Sequence, residues 1–474
     1  MVVGDVATGT ELAVVGGGPG GYAAAIRAAQ LDLDVTLIEA DSLGGSCLNH
    51  GCIPSKALLS ATQIAHRATT AEEMGIHADP DIEESQLFQF KTDVVDQLTG
   101  GVEKLCKANG VSLVSGTAQF EDDDHLRVAH DGDGQGSETI AFESAIVATG
   151  SQPVELPAFP FSDPAVYSSK QLLNSESLPE QIVIVGAGYI GMELATVLAR
   201  LDCSVTILEA LDSALPSYAN DLSRPVRERA EAQGIEFRFG QQAVESESTD
   251  AGIEVVAETE AGDRDRHAGD AVLVAIGREP VTGSLNLEAL GLEPDEAGFI
   301  PTDDRAETAT ETIFAVGDVS GEPMLAHKAT HEGIVAAEVV AGEPAALDFR
   351  SVPAAVFTDP EIGTVGLSEA EAAEQGFDPL IGMVPLRASG RALTTGETDG
   401  FVRVVADGDQ GFLLGAQIVS PHASELIGEL SLAIELGATL EDVAATIHVH
   451  PTLSESVMEA AQNAMEQAIH TLNR

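Results

Sequence analysis

The chain of 474 residues contains only six lysines, and Lys and Arg together number 23 against 77 Asp and Glu, a formal charge of −54 at pH 7. So little positive charge excludes partners that are recognised through clustered cations, so neither nucleic acid nor an anionic membrane is expected to bind. Cysteine is scarce as well. Cys47, Cys52, Cys106 and Cys203 are too few for a secreted disulfide scaffold of this length, and only the first two lie near each other. No apolar run approaches the roughly 20 residues of a membrane span, and the start lacks the basic residues and apolar core of a secretion signal. These absences predict a soluble, cytoplasmic protein.

What is present points to an enzyme-sized, folded chain. The 44% hydrophobic content is ample for packed cores, and the length suggests about three domains. The acidic excess runs through every region instead of one tail. A body with that charge repels itself unless salt screens it, and at molar salt the screening length falls to about 3 Å. The composition reads as that of a salt-in halophile.

Leu12 to Val15 is a short apolar run, followed by Gly16-Gly17-Gly18-Pro19-Gly20-Gly21 and an Ala-rich stretch through Gln30; Val35 to Ile38 is a second apolar run ending in Glu39. This order predicts strand, glycine turn, helix, strand. In a dinucleotide-binding unit Gly16 permits the turn, Gly18 admits a pyrophosphate, Gly21 allows close helix–strand packing, and Glu39 accepts from ribose hydroxyls. A lone G-x-G-x-x-G is weak, but the pattern recurs. Ile182 to Val185 leads into Gly186-Ala187-Gly188-Tyr189-Ile190-Gly191, a helical stretch to about Arg200, and Val205 to Leu208 ending in Glu209. Glu39 follows Gly16, and Glu209 follows Gly186, by the same 23 residues. Two nucleotide sites are expected. Apolar strands ending in glycine close the units at Ala145 to Gly150 and at Ala271 to Gly277; the polar stretches between each unit and its closing strand, such as residues 121–138, read as hairpin loops. A further apolar run, Ile313 to Val316, ends in Gly317-Asp318, where Asp318 either holds a hydroxylated ligand or caps a helix.

Five residues past Glu39 begins Gly44-Gly45-Ser46-Cys47-Leu48-Asn49-His50-Gly51-Cys52-Ile53-Pro54-Ser55-Lys56. Two thiols five positions apart meet if one helical turn with nearby glycines folds the backbone back, and such a loop in a cytoplasmic protein is more often catalytic than structural. A metal site of Cys47, Cys52 and His50 lacks a fourth ligand, so no metal is expected. Cys106 and Cys203 read as packed apolar residues.

Two nucleotides and one dithiol suggest an electron relay, and the sequence resembles the pyridine nucleotide-disulfide oxidoreductases over essentially its whole length. The resemblance rests on GGSCLNHGCIPSK at 44–56, the two glycine fingerprints, AIGREP at 275–280, FAVGDV at 314–319, MLAHKATHEG at 324–333, VFTDPEIGTVGLSE at 356–369 and HVHPTLSE at 448–455. Ser46 and His50 depart from the family pattern, which usually has Thr and an apolar residue there. The match is nearest to members that oxidise dihydrolipoamide with NAD; another flavoprotein reductase acting on a low-molecular-weight host thiol is the alternative.

The resemblance implies an α/β fold with two Rossmann-like, glutathione reductase-like domains and a C-terminal α+β interface domain. Residues 1–150 would bind FAD and carry the dithiol, 151–277 would bind NAD, 278–346 would complete the central part, and 347–474 would build a homodimer. FAD would lie against Gly16, Gly18, Gly21, Glu39, Lys56, Thr149, Gly150, Gly317, Asp318 and Ala326. NAD would lie against Gly186, Gly188, Gly191 and Gly277, with Glu209 on its adenosine ribose, where an NADP enzyme would need positive charge. Lys56 and Glu193 would pair beside the flavin. Read without the family, HVHPTLSE is a strand end and a capping box of Thr452 with Glu455; with it, His450 is the base and Glu455 its orienting partner, the two together serving the dithiol of the opposite subunit. Neither His448 nor a metal role for His-x-His is expected to matter. In the implied relay, a dihydrolipoamide thiolate attacks Cys47, Cys52 leaves as a thiolate against the flavin, and electrons pass through FAD to NAD⁺. The lipoyl groups would belong to proteins of 2-oxoacid dehydrogenase or glycine-cleavage type.

Overall fold

The computed structural model describes residues 8–130, 136–175, 177–250 and 252–473. The chain forms two units. Met1–Leu156, Tyr167–Leu178 and Ile276–Asp348 make the first, and Pro157–Val166, Pro179–Ala275 and Phe349–Arg474 the second.

In the first unit the apolar run after Glu11 becomes the strand Thr8–Val15, with Leu12, Ala13 and Val14 fully buried. A strand buried on both faces needs cover on both, which is why it reads as a continuous apolar run without alternation. It pairs in parallel with Val35–Glu39 on one side and Ser137–Val147 on the other; Ser112–Ser115 extends the first edge and Ile313–Ala315 pairs with Ser137–Val147, all in parallel. The antiparallel strands His125–Ala129 and Thr117–Phe120 complete a sheet of seven. One face is covered by the helices Pro19–Gln30 and Ala326–Val340, whose Ala24, Ala25, Ala28, Ala336 and Ala337 share a core cluster with Leu12 and Val14. These two helices cross closely: a Cβ on Gly333 would lie 2.2 Å from the Gly20 carbonyl oxygen. The other face carries Phe120, Leu126, Ile140, Leu285 and Ile300.

The second unit repeats the plan. Glu236–Phe239, Ser204–Glu209, Gln181–Val185 and Ala271–Val274 lie side by side in parallel, with Val166–Tyr167 beyond them. Both parallel cores thus share one spatial order, in which the strand that leads into the glycine turn sits between the second and the closing strand. A three-stranded antiparallel sheet, Gln241–Thr249, Gly252–Thr259 and Arg264–Gly269, follows. Residues after 349 form a five-stranded antiparallel sheet in the order Ala354–Val356, Glu361–Gly366, Leu413–Ser420, Phe401–Asp407 and Pro379–Pro385. The helices Ala423–Glu435 and Glu455–Ala464 share its core through Ile427, Leu430, Val457 and Ala461. The fold is the expected α/β architecture with two dinucleotide-binding cores and an α+β C-terminal part.

Two local expectations need correction. Residues 121–138 are not simply loop. His125–Ala129 is a strand whose Leu126 and Val128 point into the core while His125, Arg127 and Ala129 face outward, so amid its Asp and Gly neighbours the segment looked hydrophilic; residues 131–135 of that stretch lie outside the described residues. Residues 447–449 form no strand, since Ile447 and Val449 find no sheet partner within their unit and stand exposed.

Candidate active site

The two glycine turns coincide in detail. Gly16 has φ +105° and Gly186 φ +104°, a region open to glycine and strained for other residues. A Cβ on Gly21 would meet the Gly16 carbonyl oxygen at 1.8 Å, and one on Gly191 would meet that of Gly186 at 2.2 Å, so glycine is required at each crossing. Gly18 and Gly188 cap the following helices in nearly identical extended conformations. A Cβ on Gly188 would meet nothing within 4 Å, and one on Gly18 only Gly45 Cα at 3.9 Å, so space for a pyrophosphate adjoins each helix N-terminus.

The acidic residues that end the second strands are duplicated too. Glu39 Oε2 accepts from the Gly17 N–H at 2.5 Å and Oε1 from Asp41 N–H at 2.7 Å. Glu209 Oε2 accepts from the Ala187 N–H at 2.8 Å and Oε1 from Leu211 N–H at 2.9 Å. Each carboxylate therefore braces its glycine turn while keeping lone pairs that can receive ribose hydroxyls.

Cys47 and Cys52 lie on opposite sides of a break. Cys47 is in the short helix Gly45–His50, Gly51 interrupts the chain with φ −139° and ψ −109°, and Cys52 begins the helix Cys52–Thr69. Both are free thiols that hydrogen-bond to each other; Cys47 is half-buried and Cys52 exposed. The bond to Cys52, and then burial, push the Cys47 thiol far above its ordinary value, and Lys56 only partly offsets them. Cys47 is thereby the poorer thiolate of the two in its half-buried place. Cys52 sits where unpaired helical N–H groups favour a thiolate. His50 ends the short helix: its Nε2 lies 3.3 Å from Asp41 Oδ2, and the Asn174 side-chain amide is 3.2 Å from its Nδ1. Lys170 also holds Asp41, at 2.6 Å, and keeps that carboxyl below the usual range.

Asp318 lies in a turn of 3₁₀ helix, Gly317–Val319. Its Oδ2 accepts from the Ser151 hydroxyl at 2.5 Å, and Ser151 in turn accepts from Arg278 Nε at 2.8 Å and, through its carbonyl, from Arg278 Nη2 at 2.6 Å. Ser151 and Arg278 were not singled out in the sequence, although Arg278 stands within the AIGREP motif. Gly150 has φ +69°, Gly277 φ +138° and Gly317 φ +79°. Thr149 Oγ1 donates to the Val281 carbonyl at 2.7 Å, the Gly317 N–H donates to Glu332 Oε2 at 2.7 Å, and Ala326 begins its helix. Lys56 belongs to the first unit, one helical turn past Cys52. Glu193 belongs to the second, buried on the helix Tyr189–Ala199 with its Oε1 accepting from the Phe357 N–H at 2.9 Å.

His450 and Glu455 are together: Nδ1 of the ring lies 3.0 Å from Glu455 Oε1. Burial raises the Glu455 carboxyl, but the Thr452 N–H and His450 outweigh it and leave the group below its ordinary value. The anticipated capping box is half present. Glu455 Oε2 accepts from the Thr452 N–H at 2.9 Å, whereas the Thr452 hydroxyl donates to the Val449 carbonyl at 2.6 Å and Ser454 is the helix cap.

These features define a pyridine nucleotide-dependent dithiol oxidoreductase, and comparison with known proteins agrees. Residues 10–333 match the pyridine nucleotide-disulphide oxidoreductases and residues 352–461 their dimerisation domain. The chain belongs to that family, and it forms a homodimer. It is 63% identical over 474 residues to the dihydrolipoyl dehydrogenase of Halobacterium salinarum, with 100% of both chains covered. To the dihydrolipoyl dehydrogenase of Haloferax volcanii it is 62% identical over 475 residues, again with 100% of both covered. Among solved structures it is similar to LpdA from Mycobacterium tuberculosis, with a TM-score of 0.88, 27% identity, and 96% of this chain and 99% of that chain covered. The HOCl-induced flavoprotein disulfide reductase RclA from Escherichia coli gives a TM-score of 0.84 at 28% identity, covering 95% of this chain and 99% of that one. FAD and NAD are the cofactors, and the open approaches at Gly18 and Gly188 fit their pyrophosphates. Among the described residues no helix is long and apolar enough to cross a membrane.

Proposed function

We propose that this chain oxidises protein-bound dihydrolipoamide to lipoamide and reduces NAD⁺ to NADH in the cytoplasm, serving lipoyl-bearing proteins of 2-oxoacid dehydrogenase or glycine-cleavage type. The observation that carries the reading is the Cys47–Cys52 pair at the Gly51 break, in a chain that matches dihydrolipoyl dehydrogenases from end to end. Residues 1–150 with 278–346 hold FAD through Gly16, Gly18, Gly21, Glu39, Lys56, Thr149, Gly150, Gly317, Asp318 and Ala326. Residues 151–277 hold NAD through Gly186, Gly188, Gly191, Glu209 and Gly277, and 347–474 form the subunit interface.

Bound FAD and NAD⁺ supply the two-electron and hydride chemistry that takes electrons from the dithiol. The residues of the chain manage protons and sulfur. With Nδ1–H committed to Glu455, His450 takes the proton of a dihydrolipoamide thiol at Nε2, and Glu455 stabilises the imidazolium. His450 acts on the opposite subunit's disulfide. The substrate thiolate attacks Cys47 Sγ, the Cys47–Cys52 bond breaks, and Cys52 departs as a thiolate favoured by its helix terminus and by Lys56. The substrate's second thiolate then displaces Cys47 and closes the lipoamide ring. Lys56, one helical turn past Cys52, offsets the negative charge of the reduced dithiol.

The test is steady-state reduction of NAD⁺ and of NADP⁺ in molar KCl, with dihydrolipoamide set against a panel of reduced low-molecular-weight thiols. Dihydrolipoamide with NAD⁺ is expected to give the highest kcat/KM. A higher value with another thiol would replace the substrate assignment.

A further inference from the structure

The chain between the helices Leu440–Ala445 and Glu455–Ala464 carries His450, yet most of its side chains have no place in the core. Ile447 is 95% exposed and Val449 73% exposed, and the His450 side chain is 80% exposed. One residue breaks the series. The His448 side chain is only 5% exposed, with Nε2 lying 2.7 Å from Glu429 Oε1 on the helix Ala423–Glu435. Its Nδ1 lies 2.9 Å from the Thr446 carbonyl oxygen. Both ring nitrogens therefore have an oxygen partner.

Within its own subunit, the segment is held by polar anchors more than by packing. The bond from His450 to Glu455 fixes the rotation of the ring, and the Thr452 bonds to Glu455 and to the Val449 carbonyl tie the segment on its C-terminal side, which leaves the freedom of its N-terminal side. A second anchor two residues earlier, tied to a different helix, removes that freedom. We propose that His448, held by Glu429, is a positioning residue that fixes the His450 segment for proton transfer. This rests on the reading of His450 as the base. Displacing a reacting group by about 1 Å costs on the order of a hundredfold in rate, so the anchor matters although it touches no substrate.

The experiment uses the flavin-loaded dimer in molar KCl and the variants His448→Ala, Glu429→Ala, Glu429→Gln and His450→Ala. Three quantities are measured: dihydrolipoamide:NAD⁺ turnover, NADH oxidation by ferricyanide, which needs neither base nor dithiol, and dimer content by sedimentation. His448→Ala and Glu429→Ala are expected to lower kcat for dihydrolipoamide roughly ten- to a hundredfold with little change in KM. Ferricyanide reduction and dimer content stay at wild-type levels, and Glu429→Gln, which keeps an acceptor opposite Nε2, recovers most of the loss. Turnover by His448→Ala within about twofold of wild type, with His450→Ala inactive, overturns the anchor while leaving the base in place. Loss of ferricyanide activity and dimer together with lipoamide turnover also overturns it, because His448 would then hold the fold. Wild-type turnover by His450→Ala removes the base reading itself.

Discussion

One proton shared between two sulfurs goes to the one that burial favours. Cys47, half-buried and pushed up by its bond to Cys52, is the poorer thiolate, so the reduced pair places the anion on Cys52 at its helix terminus. Cys47→Ser and Cys52→Ser are each expected to abolish dihydrolipoamide turnover while retaining FAD, measured by flavin absorbance after gel filtration. Cys52→Ser should in addition lose the long-wavelength absorbance of the reduced enzyme; its persistence would reverse the two roles. Glu209 carries a second prediction. Glu209→Arg should narrow or reverse the preference for NAD, read as kcat/KM for each coenzyme. Because both oxygens of Glu209 brace backbone N–H groups, the same change should cost about 1–3 kcal/mol in unfolding free energy. The fingerprints and the dithiol were legible because their function depends on local spacing. The His448–Glu429 pair was not, since its partner lies on a separate helix and a histidine two places before the base looks the same whether it is anchored or free. Ser151 and Arg278 were hidden for the same reason: only the folded chain brings them to Asp318.

Elements were readable wherever burial imposes a plain pattern. The runs at 12–15, 35–38, 182–185 and 205–208 became parallel strands because both of their faces are covered, and glycine marked where the first and third turned into a helix. His125–Ala129 escaped because a strand covered on one face alternates, and two buried residues are too few to stand out amid Asp. HVH misled in the other direction: β-branched neighbours suggested a strand, but the single buried position is the histidine. The crossing of Pro19–Gln30 with Ala326–Val340 supplies a prediction at this scale. Gly333→Val would force its Cβ against the Gly20 carbonyl and part the two helices that cover the first sheet. A loss of about 1–3 kcal/mol in stability is expected, with weaker FAD retention, measured by thermal unfolding and by flavin release on dilution.

At the scale of the whole molecule, charge decides behaviour. Each subunit carries −54 and a dimer twice that, and many of its few cations already pair with neighbouring acids, as where Arg266 serves both Glu247 and Glu254. Lowering salt from about 1 M to about 0.1 M lengthens screening from about 3 Å to about 10 Å, so repulsion then spans adjacent carboxylates and the subunit interface. Activity and dimer content should fall together as KCl is withdrawn, with mildly acidic pH partly replacing salt; parallel sedimentation and rate measurements check this. A fully active dimer at low salt would refute it. The division into interleaved segments has a further consequence, for synthesis. Ile313–Ala315 pairs with Ser137–Val147, but the whole parallel sheet of the second unit, through Val274, leaves the ribosome before it. At roughly 5–20 residues per second, the first sheet waits on the order of ten seconds or more with a strand edge unpaired. The part begun first is therefore finished last. In a cytosol salty enough to cancel repulsion between neighbouring nascent chains, that open edge is the point at which one polysome-bound copy can pair wrongly with the next.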